Sequence, residues 1–77
     1  MTDQEFDDLV QQVQAAEIEI TRCDSTISAL WAELIRLARV GIAASTEYQH
    51  LSGVESERAR WILVRERIRA MLAGAGR

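Results

Sequence analysis

The stretch GIAASTEYQ, residues 41–49, decides how this 77-residue chain is read. It interrupts two long runs of helical periodicity. Gly41 stands just past the last apolar repeat of the first run, where a residue with free access to the left-handed region ends a helix well. Thr46 followed by Gln49 has the spacing of a capping box, T-x-x-Q, and Glu47 adds an acid to the first turn of the second run. Residues 41–46 therefore read as a short connection, and a short connection makes two helices antiparallel neighbours.

Upstream, alternating steps of three and four from Phe6 reach Leu9, Val13, Ala16, Ile20, Cys23, Ile27, Leu30, Leu34 and Leu37, every one apolar. This is a sustained a/d heptad, the pattern of a helix packed lengthwise on another helix. Val10, Trp31, Ile35, Ala38 and Val40 widen the stripe, which suits a bundle better than a two-stranded zipper. The pattern predicts a helix over about residues 4–40, some 55 Å long at ~1.5 Å per residue. Asp3, Glu5, Asp7 and Asp8 at its start and Arg36 and Arg39 at its end complement the helix dipole.

Downstream, Tyr48, Leu51, Val54, Trp61, Ile62, Ile68 and Leu72 share one side of a second helix, predicted over about 47–72 with a frayed tail at 73–77. This seam is poorer. Arg58 and Arg65 fall within it, and Gly53 costs roughly 1 kcal/mol relative to Ala. Folding the chain at about residue 43 sets Trp61 near Ile27 and Leu72 near Ala15. Phe6, Leu9, Val10 and Val13 then overhang the shorter helix, an apolar strip with an acidic rim. The expected fold is thus all-α: one helical-hairpin domain over residues 1–77, assembling into a four-helix bundle or coiled-coil dimer because so short a chain buries little core alone.

Composition excludes a good deal. One Cys (Cys23) and one His (His50) provide neither a disulfide nor a metal framework. No phosphate-binding glycine loop or HExxH pattern occurs, His50 has no nucleophile spaced for it, and no cofactor is expected. The acidic start is not that of a secretory signal and the longest strongly apolar run is WILV at 61–64, so a soluble cytoplasmic protein is expected. The net charge of −3 is uneven: eight acids and three Arg precede residue 45, four acids and six Arg follow. An acidic half and a basic half are expected to pair with each other. The five arginines of ERARWILVRERIRAML scatter around the helix among Glu55, Glu57 and Glu66, unlike a phosphate-binding face. Trp31 and Trp61 read as core, with a contact role as the alternative.

From about residue 40 to 68, on Glu47, Tyr48 and Gln49 opening the second helix, the chain resembles the small helical-hairpin "E" subunits of type III secretion needle chaperones of Yersinia, Pseudomonas and Aeromonas. The resemblance implies a hairpin that pairs with a helical-repeat co-chaperone and holds an aggregation-prone needle subunit in the cytoplasm. A Rop-like dimer of hairpins, or a small phage-type regulator that binds a host protein, shares the architecture. The expected activity is non-enzymatic protein binding, to a second copy or another helical protein. The expected contact residues are Phe6, Leu9, Val10, Val13, Trp31, Tyr48, Arg58, Trp61 and Arg65.

Overall fold

The structure, a computed structural model, describes residues 1–75. It is a hairpin of two helices, α1 (Asp3–Val40) and α2 (Ser45–Ala75), forming a rod of 58 × 14 × 14 Å. The all-α antiparallel hairpin read from the heptads is the observed fold.

The ends of the helices follow from local chemistry. Thr2 caps α1: its Oγ1 accepts the backbone N–H of Glu5 at 3.1 Å, and its carbonyl accepts that of Phe6 at 3.0 Å. The other end closes in a Schellman motif. Gly41 sits at φ 73, the Ile42 N–H donates to the Leu37 carbonyl at 3.0 Å and the Gly41 N–H to the Ala38 carbonyl at 3.3 Å.

Three expectations need correction. The capping box at Thr46–Gln49 does not form, because α2 starts at Ser45 and Thr46 already lies inside its first turn. The Tyr48 N–H instead meets the Ala44 carbonyl at 3.0 Å, so the position before the helix is an alanine with no side chain to cap it. The capping pattern that does operate, T-x-x-E, is at Thr2–Glu5. Nor does α2 stop at 72; it runs through Ala75, and the rest of the expected frayed tail, residues 76–77, lies outside the described residues.

The third correction is the register. Arg58 bonds Asp24 through Nε at 2.6 Å and lies close enough to Cys23 to influence its thiol, while Arg69 bonds Glu17 at 2.8 Å. These contacts slide α2 about one heptad along α1 from the expected alignment. Trp61 falls beside Ile20 rather than Ile27, and Arg65, one heptad past Arg58, falls beside Ala16. The apolar period alone repeats every seven residues, so it cannot distinguish alignments that differ by one heptad. The longer α2 and this alignment bring its last turn back over the start of α1. Leu9, Val10 and Val13 are consequently half-buried, and of the expected overhang only Phe6 is exposed.

The core is a single seam: Ala16, Ile20, Cys23, Leu34 and Leu37 of α1 against Leu51, Val54 and Ile68 of α2. Of these only Ala16 is wholly enclosed, at 0% exposure. No helix among the described residues is long and apolar enough to cross a membrane.

Candidate interaction surface

A heptad with Phe6 at a and Leu9 at d puts Val10, Glu17, Asp24, Trp31 and Ala38 of α1 in one e row. The matching row of α2 holds Tyr48, Glu55, Ile62 and Arg69. The Arg69–Glu17 ion pair shows that these rows meet on one flank of the hairpin. Three heptads towards the turn, the same offset sets Tyr48 beside Ala38. Ile35 follows Trp31 by four residues, one turn along the same face of α1.

This flank is apolar and open near the turn. Trp31 is 47% exposed, Ile35 52% and Tyr48 56%. Trp31 is accordingly not the core residue expected of it; its e position turns it away from the seam. Trp61, at a d position, is half-buried, which meets the expectation of a core role only in part. At the far end of the same flank stand Phe6, 44% exposed, and the half-buried Val10. Thus the structure places Trp31 and Tyr48 on the same flank near the turn, one heptad apart along the rod, and Phe6, Leu9, Val10 and Val13 at the other end. Sequence reasoning missed Ile35 as part of the turn-end patch, although its spacing of four from Trp31 was visible.

Between the two ends the flank is ionic. Arg58 and Arg65 are both half-buried, with aliphatic stems laid along the seam and charged ends turned out to carboxylates, Arg58 to Asp24 and Arg65 to Glu66. Small neighbours leave room for them: Arg58 lies beside Cys23, and Arg65 beside Ala16. The two interhelical pairs realise the expected attraction of acidic and basic halves. They are well exposed, so each is worth about 0–1 kcal/mol. The remaining pairs, Arg22–Glu19, Arg36–Glu33, Arg65–Glu66 and Arg69–Glu66, join residues of one helix. Among the described residues Arg39, Arg60 and Arg67, and Asp3, Glu5, Asp7 and Asp8, take part in no ion pair.

The opposite flank carries a shallow groove of about 200 Å³ between the helices, where Cys23 and Thr26 face His50, Val54 and Glu57. Burial pushes the Cys23 thiol above its ordinary pKa, and the carboxylates of Glu57, Glu19 and Asp24 add to this against the opposing Arg58. A thiol so placed stays protonated and unreactive at neutral pH. Among the described residues no cluster of three or more His, Cys, Asp or Glu side chains is arranged to hold a metal ion.

The hairpin's surface area is large for its mass. A compact folded monomer of 8.7 kDa exposes roughly 4,700 Å². This hairpin exposes 5622 Å², an excess of about 900 Å² on that scaling. A standard protein–protein interface buries about 800 Å² on each partner. The excess follows from the rod shape and is spread over the whole surface; in size it is comparable to one side of such an interface.

Comparison with protein-family models, curated proteins and solved structures found no match.

Proposed function

We propose that the protein is a non-enzymatic, cytoplasmic protein-interaction module, of the small chaperone or co-chaperone kind that binds a helical partner. The surplus of exposed area, with Trp31, Ile35 and Tyr48 gathered on one flank, carries this reading. Exposed aromatic side chains on a rigid helix are the usual anchors of binding energy, because they bury much area at little entropic cost. The narrower reading, a needle-subunit chaperone of type III secretion, rests on Glu47, Tyr48 and Gln49; the exposure of Tyr48 on the apolar patch favours a contact role for that position.

Nucleic-acid binding by the Arg-rich α2 is the competing class. Three of its five arginines, Arg58, Arg65 and Arg69, are engaged by carboxylates, which leaves Arg60 and Arg67 facing outward without a basic surface around them. Phosphate recognition needs several unengaged cations on one side.

Affinity capture from an extract of the native host separates the two. Retention of a protein partner in high salt, and its loss in a Trp31→Ala/Tyr48→Ala variant of unchanged helicity, is the expected result. Material that dissociates steeply as salt rises and vanishes on nuclease treatment would instead establish nucleic-acid binding and refute the proposal.

A further inference from the structure

The open flank has a symmetry of its own. Asp24 lies at its centre in sequence, with Glu17 and Trp31 one heptad to either side and Val10 and Ala38 two heptads away. A two-fold axis through Asp24, perpendicular to the rod, exchanges the two apolar ends. We infer that this flank is the interface of an antiparallel pair of hairpins, so that the occupant of the surface is a second copy of this chain. The inference rests on the reading of the hairpin as an interaction module and names its partner.

Area and charge both argue for this occupant. The excess of about 900 Å² matches what each protomer of a stable dimer of standard size gives up. In the antiparallel arrangement Trp31 of one protomer lies over the Glu17–Arg69 pair of its partner, within reach of a guanidinium as well as of apolar stems. Ala38 and Tyr48 meet Val10. Asp7, beside Val10, and Arg39, beside Ile35, have no ion-pair partner within the chain among the described residues, and the two-fold axis brings them together. A parallel pairing, with its two-fold axis along the rod, would set α1 of one protomer over α2 of the other, so that Asp7 and Arg39, at opposite ends of α1, never meet. At the axis the Asp24–Arg58 pairs of both protomers form an alternating cluster of two acids and two bases.

Sedimentation equilibrium and disulfide mapping test the arrangement. The full chain is expected to form dimers at micromolar concentrations. Trp31→Ala, at an exposed position, should raise the dissociation constant at least about tenfold with helicity unchanged. In a Cys23→Ala background, Val10→Cys and Ala38→Cys together should cross-link into covalent dimers under mild oxidation, and neither alone should. Within one chain those positions are about 42 Å apart along α1 at ~1.5 Å per residue, so the bond must join two copies. A folded chain that stays monomeric, a dimer indifferent to Trp31→Ala, or efficient cross-linking through Val10→Cys alone would overturn the inference. A monomer that still captures another protein in a Trp31-dependent way would remove the second copy as occupant and leave the module reading standing. A dimer with the expected cross-links that captures no other protein would uphold this interface and remove the helical partner of the wider proposal.

Discussion

Two glycines give a stringent test, because one substitution should act on them with opposite signs. A Cβ added at Gly41 or at Gly53 meets no atom within 4 Å, so neither change creates a clash. What differs is the backbone. Gly53 lies inside α2, where alanine gains roughly 1 kcal/mol over glycine from helix propensity. Gly41 sits at φ 73 in the Schellman turn, where an L-residue with a Cβ is disfavoured by roughly 1–2 kcal/mol. An unfolding entropy of about 2.1 cal/mol/K per residue amounts to roughly 160 cal/mol/K for this chain, so 1 kcal/mol moves Tm by about 6 °C. Gly53→Ala should therefore raise Tm by about 6 °C and Gly41→Ala lower it by at least as much, followed by far-UV circular dichroism. Protein concentration must be matched across variants, because any self-association would make Tm depend on it. Shifts of the same sign would refute the left-handed closure of α1 at Gly41 or the helical place of Gly53.

Other outcomes rest on the same geometry. Ala44 occupies the uncapped position before α2, so Ala44→Ser or Ala44→Asp should stabilise the hairpin by about 0.5–2 kcal/mol in chemical denaturation, while Thr46→Ala should not show the loss of a cap. Cys23 is buried with its thiol pKa raised, so alkylation by a soluble reagent should be slow in the native state at neutral pH and fast in denaturant; equal rates would contradict the burial. The hydrogen bond from Arg36 holds the Glu33 carboxyl below its ordinary pKa. Its stabilisation is fully present above the unfolded value of about 4.3 and is lost as pH falls through the lower folded one. The pair is exposed, so the effect is small: Glu33→Gln should lower Tm slightly near neutrality and converge with the parent chain at low pH, which flattens the acid limb of a Tm-against-pH profile.

The fold is legible because the a/d repeat of α1 is unbroken and Gly41 ends it, both properties of local sequence. Helix existence and antiparallel direction need nothing more. The alignment of α2 is not legible from hydrophobic period, yet another signal carries it. Ala16 and Cys23 are the small residues of the α1 seam, seven apart; Arg58 and Arg65 are the long ones of the α2 seam, also seven apart. Matching long against small gives the observed alignment. Sliding by one heptad in either direction sets an arginine against a leucine, Arg58 on Leu30 or Arg65 on Leu9. The candidate surface is half legible. Trp31 and Tyr48 stand out by residue type, but the breadth of the stripe suggests that Trp31 belongs inside, and only the direction of its e row shows that it points out. Thr46 misleads because capping depends on the backbone leaving the helix, which side-chain type does not dictate.

The 14 Å thickness of the rod has a further consequence. In so thin a rod the seam lies close to water along both flanks of the described residues. A long charged residue at a seam position can therefore reach solvent, which is how, among the described residues, the seam holds two arginines with no buried side-chain polar atom left unpartnered. In a thicker domain the same residues would strand a cation in a low-dielectric interior. In this hairpin the seam is open to exchange between apolar and charged residues over evolutionary time. The surface such a chain presents can be rewritten one side chain at a time, while the turn and the small residues opposite the arginines hold the hairpin in register.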